Sequence, residues 1–155
     1  MFGKDTFTVQ RSTTIKAAPG KIVSLINDFR NWPSWSPWEK LDPAMKRTVG
    51  GAPSGKGATY EWDGNKKAGK GRMLITESSP SKINIDLDFE KPFAAKNKTE
   101  ITLVPQGDST QITWSMTGAR PLMFKLMGLF MNFDKMIGKD FEEGLANIRA
   151  LAEKK

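Results

Sequence analysis

Apolar and polar residues alternate along residues 7–15 (Phe-Thr-Val-Gln-Arg-Ser-Thr-Thr-Ile). The same period of two runs from residue 44 to 118, broken at Gly, Pro, Ser and Asn positions. Alternation of this kind marks half-buried strands. The breaks predict strands near 44–49, 58–63, 69–77, 82–90, 95–104 and 110–117, with turns at 50–57, 64–68, 78–81, 92–93 and 105–109. Consecutive strands joined by short turns make an antiparallel meander. One face collects Tyr60, Trp62, Met73, Ile75, Ile83, Ile85, Leu87, Phe89, Ile101, Leu103, Ile112, Trp114 and Met116. The other carries Asn84, Asp86, Asp88, Glu90, Thr113, Ser115 and Thr117, which suits solvent.

The period changes at both ends of the meander. Pro19 sits where a first helical turn accepts it, and Ile22, Val23, Leu25, Ile26 and Phe29 form a short amphipathic helix. Residues 31–43 then hold Trp32, Trp35 and Trp38 among prolines, which predicts a tight helical corner. A last helix is expected over about 122–153, roughly 48 Å at 1.5 Å per residue. Its later positions Ile137, Phe141, Leu145, Ile148 and Leu151 keep a narrow apolar stripe. Residues 122–133, by contrast, are apolar except at Lys125, Gly128 and Asn132, with Met123, Met127 and Met131 four apart. That surplus exceeds the roughly 100° arc a surface helix needs, so it is expected to face a cavity, a partner chain or a membrane. Gly128, Gly138 and Gly144 each cost about 1 kcal/mol in a helix, which predicts a bend or a close backbone approach.

These elements predict an α+β fold of the helix-grip kind. A curved antiparallel sheet of about seven strands wraps a long C-terminal helix, with two short N-terminal helices. The 155 residues are read as one domain, 1–155. No run reaches the roughly 18 apolar residues of a membrane span, and the first residues lack the apolar core of a signal peptide, so a cytoplasmic protein is expected.

Composition narrows the chemistry. The chain has no cysteine and no histidine, which excludes thiolate nucleophiles, His-based triads and the usual zinc and iron ligand sets. No metal or cofactor is expected, and a general base would have to be a carboxylate. The net charge of +7 comes from lysines in turns without interleaved aromatics, so no nucleic-acid partner is expected. Residues 50–57 and 64–71 both match G-x-x-x-x-G-K, yet each ends in glycine and runs into a strand, so hairpin turns explain them. Asn97-Lys-Thr99 spells a glycosylation sequon, which matters only if the protein is secreted.

The segments Trp35-Ser-Pro-Trp-Glu39 with Asp42-Pro43, Gly69 and Gly71 ahead of Arg72-Met-Leu-Ile75, and residues 134–145 in the last helix carry a resemblance. From the first strand to Leu151 the chain resembles the START-like (SRPBCC) superfamily, in its polyketide cyclase/dehydrase-like branch. The resemblance implies a hydrophobic tunnel between sheet and long helix. It supplies no universal catalytic residue.

A small hydrophobic or aromatic molecule is therefore the expected ligand, walled by Tyr60, Trp62, Met73, Phe89, Trp114, Met116, Met127 and Met131. Trp35 and Trp38 either join that wall or plug the end of the barrel. Asn97 and Thr99 share the inward phase of Ile101 and Leu103 and are candidate orienting groups, with a bridging water or edge exposure as the other explanation. Glu39 and Asp134 are the candidate acid or base residues of a cyclase- or dehydratase-like enzyme. Glu39 is alternatively an ion-pair partner of Arg72 or Lys70, and Asp134 of a lysine in the sheet. Glu61 and Asp63 are expected to point outward. The third expectation is an interaction module, with a homodimer or bilayer docked on the start of the last helix.

Overall fold

The computed structural model describes residues 6–40, 42, 44–65, 69–91, 95–119 and 127–154; side chains at 6, 40, 95, 119 and 127–134 lie outside the description. The elements run β1 (Thr6–Ile15), α1 (Pro19–Ile26), two 3-10 turns (Phe29–Ser34 and Pro37–Lys40), β2 (Lys46–Gly51), β3 (Ala58–Asp63), β4 (Lys70–Ser78), β5 (Lys82–Lys91), β6 (Ala95–Gln106), β7 (Ser109–Ala119) and α2 (Met127–Ala152). All strands pair antiparallel in one open seven-stranded sheet, ordered β1-β7-β6-β5-β4-β3-β2. This is the expected α+β, helix-grip-like architecture.

Alternation fixes the inner face. Tyr60, Met73, Ile75, Ile83, Ile85, Ile101, Leu103, Ile112, Trp114 and Met116 are buried beside Phe7, Val9 and Ile15 of β1. A one-residue slip would turn that whole set to water, which holds the register. Glu61 and Asp63 are exposed, as expected.

The tryptophan corner is a pair of 3-10 turns, because Pro33 and Pro37 deny donors that a continuous α-helix needs. Its indoles finish α1. The Trp35 Nε1–H donates to the Leu25 carbonyl and the Trp32 Nε1–H to the Ile26 carbonyl, both at 2.8 Å. Two carbonyls of the helix C-terminus that lack intrahelical partners are thereby satisfied while the rings stay buried.

β2 starts at Lys46 rather than at 44, because Asp42 holds a turn there: its Oδ1 accepts from the Ala44 N–H at 3.0 Å and its carbonyl from the Met45 N–H at 3.0 Å. The loop after β2 is a glycine hairpin, with Gly51, Gly55 and Gly57 at positive φ, and it leads into β3 rather than into a helix.

α2 buries Phe141, Leu145, Ile148 and Ala152. One of its glycines marks close approach: Gly138 lies under Arg11 of β1, whereas a β-carbon on Gly144 would meet Pro37 Cδ at 3.4 Å and Trp35 Cζ3 at 3.5 Å, ordinary contact. The predicted helix residues 122–126, Met123 and Lys125 among them, lie outside the described residues. Among the described residues no helix is long and apolar enough to cross a membrane.

Candidate functional site

The inner face of β3 to β7 is a lattice that pairing fixes residue by residue. Tyr60 lies opposite Met73, Met73 opposite Leu87, Leu87 opposite Asn97 and Asn97 opposite Gly118. The next row joins Ile85, Thr99 and Met116, and on the other side Trp62, Gly71 and Phe89 form a third. Seven of the residues expected to contact ligand (Tyr60, Trp62, Met73, Phe89, Asn97, Thr99 and Met116) thus share one strip.

Within this strip Trp62, Leu87 and Phe89 are only half-buried, although they hold the same inward phase as the fully buried isoleucines. Trp62 stands edge-on to Phe89, centroids 5.7 Å apart at 85°. Its indole lies across Gly71, where a β-carbon would fall 2.5 Å from Cη2. Glycine inside a strand is the cue for such an approach, so this wall residue was detectable in the sequence.

Two polar side chains interrupt the apolar lattice. Asn97 and Thr99 are 7% and 6% exposed. Asn97 rests over Gly118, and its Nδ2 has one contact, 3.9 Å from the Met116 thioether sulfur, a weak acceptor.

The tryptophans cluster behind the strip. Trp32 and Trp35 are 4.7 Å apart, Trp35 and Trp114 5.5 Å, Trp38 and Trp114 6.3 Å, and Trp38 meets Phe141 at 5.9 Å. Trp38 alone of these is half-buried, beside Asp140. Burial, with the Glu143 charge behind it, raises the Asp140 pKa.

Glu39 links this cluster to the strip. Its side chain is 10% exposed. Oε1 accepts from Arg47 Nε at 2.6 Å and Oε2 from the Tyr60 hydroxyl at 2.5 Å. The expected ion pair with Arg72 or Lys70 does not form: Lys70 pairs with Glu90 at 3.5 Å, and Arg72 is exposed on the outer face opposite Asp88. Arg47 sits on β2, the edge strand, and no local pattern announces it. Burial, reinforced by the neighbouring carboxylate, pushes the Tyr60 hydroxyl well above the ordinary tyrosine range, so it stays a donor. A groove of about 520 Å³ borders this network at Glu39 and Arg47 and is otherwise lined by Pro33, Ser34, Trp35, Ser36 and Asn147.

Met127, Met131 and Asp134 fall in the α2 helix, but their side chains lie outside the described residues. Among the described residues no group of three or more acidic side chains is placed to hold a metal ion.

Compared with known proteins, the chain matches the family model of polyketide cyclase / dehydrase and lipid transport over residues 6–153. A search of curated proteins finds no match. Similar solved structures include protein CV1439 from Chromobacterium violaceum, 16% identical with a TM-score of 0.68 over 96% of this chain and 98% of that one. The Aha1 dimer from Colwellia psychrerythraea is 12% identical with a TM-score of 0.66, covering 95% of this chain and 96% of that one. The di-domain ARO/CYC StfQ from the steffimycin biosynthetic pathway is 10% identical with a TM-score of 0.69. That match covers 96% of this chain and 51% of StfQ, about half its length. At these identities the likeness shows the fold.

Proposed function

The chain belongs to the polyketide cyclase/dehydrase and lipid transport family, and from that premise we propose that it binds a small apolar or aromatic molecule on the inner face of β3 to β7. One observation carries this reading. Asn97 and Thr99 are over nine-tenths buried in an otherwise apolar lattice, and the side-chain contact given for the pair among the described residues is the thioether 3.9 Å from Asn97 Nδ2. So weak an acceptor leaves hydrogen-bonding capacity there for a ligand carbonyl or hydroxyl. Trp62, Met73, Leu87 and Phe89 supply the apolar surface around that polar pair.

Glu39 is assigned to the framework in this reading. Each Glu39 oxygen accepts a hydrogen bond, from Arg47 and from Tyr60, which ties the 3-10 turn to β2 and β3.

The test is displacement of an apolar fluorescent dye, read together with native mass spectrometry of the freshly purified protein. Saturable dye uptake that Trp62→Ala weakens about tenfold supports the strip as the site. Uptake indifferent to Trp62, Leu87 and Phe89 substitutions would overturn it.

A further inference from the structure

The geometry points to Asn97, seated by Gly118, as the residue that selects what the inner face of β3 to β7 accepts: an uncharged molecule that presents a carbonyl oxygen to the carboxamide, in preference to a carboxylate. This inference rests on the binding reading above. It adds the charge and polar function of the ligand, and a residue that controls them.

Gly118 lies opposite Asn97 in the pairing of β6 with β7. A β-carbon there would overlap Asn97 Oδ1 and fall 2.8 Å from its Cγ, with Phe7 Cε1 at 3.0 Å. Gly118 is not among the glycines at positive φ, so the backbone does not call for glycine at this position; the Asn97 side chain does. Leu87 stands opposite Asn97 on β5, and the Met116 sulfur lies 3.9 Å from Nδ2. The carboxamide is thus held in place on the strip with a strong donor set against a weak acceptor.

Charge decides the ligand class. Among the described residues, the two arginines of the inner face already hold carboxylates of the protein. Arg11, opposite Trp114, pairs with Glu142 at 3.0 Å, and Arg47, opposite Trp62, pairs with Glu39 at 2.6 Å. Lys91 continues the inward phase of Leu87 and Phe89 but is exposed at the end of β5, four residues beyond Leu87. A carboxylate placed at Asn97 would lose its water without meeting a counter-charge, whereas a ketone gives up far less on leaving water and regains a hydrogen bond from Nδ2.

Three naphthalenes substituted at the same ring position test this as displacers of the apolar dye at neutral pH: acetylnaphthalene, isopropylnaphthalene and naphthoate. They share one ring system and differ in the polar function alone. For the wild type, the ketone is expected to bind at least about tenfold more tightly than the carboxylate. The ratio of ketone to hydrocarbon affinity is expected to fall about five- to tenfold in Asn97→Leu, the worth of one hydrogen bond. It should fall as far in Gly118→Ala, where the added methyl turns the tip of Asn97 aside, and no further when both changes are combined. Asn97→Leu keeps the test standing if Gly118→Ala does not fold. A ratio that Asn97→Leu leaves unchanged overturns the inference, as does naphthoate competing as well as the ketone. A folded Gly118→Ala protein with the wild-type ratio overturns the role of Gly118. Absence of saturable dye uptake by the wild type is the separate outcome that overturns the binding reading itself.

Discussion

The guanidinium of Arg11 occupies the space that a β-carbon on Gly138 would require, with Nη2, Cζ and Nε all inside ordinary contact distance of that point. Arg11 holds an inward position on β1, between buried Val9 and Ile15. It crosses α2 at the glycine to reach Glu142 Oε2 at 3.0 Å. The glycine is therefore a groove for a cation between strand and helix.

That relationship predicts non-additivity. Alanine is preferred over glycine by about 1 kcal/mol in a helix interior, yet Gly138→Ala is expected to gain less than that, because the flexible Arg11 guanidinium must leave its seat and its pair with exposed Glu142. In an Arg11→Ala background the same substitution is expected to stabilise the protein by the full amount. Chemical denaturation of the four proteins measures the coupling; Gly138→Ala acting alike in both backgrounds would refute it.

Glu39→Gln tests whether this carboxylate is framework. It removes the Glu39 charge from beside the part-buried Arg47 guanidinium. The expected loss is about 2 kcal/mol, below that of a fully buried pair because solvent reaches Arg47. The double variant Glu39→Gln/Arg47→Met should recover part of it. An unchanged unfolding midpoint for Glu39→Gln would show that the network holds nothing together, and would return Glu39 to the list of reactive groups.

Most of the inner face was legible because strand alternation is enforced by burial: Met73, Ile75, Ile83, Ile85, Ile101 and Trp114 all lie where a period of two puts them. Glycines gave partial warning. A bend or a close backbone approach was expected at one or more of Gly128, Gly138 and Gly144, but what comes close to Gly138 is the side chain of Arg11, from a strand more than one hundred residues away. The partner of Glu39 was misjudged although it lies only eight residues away. Pairing of a 3-10 turn with an edge strand is decided by how the sheet curls, and nothing in the sequence singles out Arg47, although alternation does exclude Arg72. Arg72 shares its strand with Met73 and so points the other way.

Thr99→Val separates a ligand contact from a structural one. Removing a buried hydroxyl that lacks a described partner leaves the ligand-free protein as stable as before or slightly more so. If that hydroxyl orients the ligand, affinity for a displacing ligand falls about five- to tenfold, the worth of one hydrogen bond. Thermal unfolding with and without ligand reads both effects. A fall in ligand-free stability with affinity intact would mean that Thr99 serves the fold.

Two carboxylates shift in opposite directions and should give stability curves of opposite slope. The backbone N–H of Lys16, and then Arg149, hold Glu153 below the ordinary carboxylate range. Its stabilisation is present above its unfolded pKa and is lost as pH falls through the folded one. Burial, and then the charge of Glu143, lift Asp140 above its ordinary value. A cost is therefore present above the folded pKa and is relieved as pH falls through it. Asp140→Asn should stabilise the protein at neutral pH, by less than about 1 kcal/mol because the side chain is only half-buried, and the gain should vanish below about pH 4. Glu153→Gln should lower the melting temperature at neutral pH, and its deficit should close over the same acid range. Melting curves of both variants and the wild type between neutrality and about pH 3 would show the two differences converging on zero from opposite sides. If Asp140→Asn destabilises at neutral pH, the carboxylate contributes more through its contact with Trp38 than burial costs it.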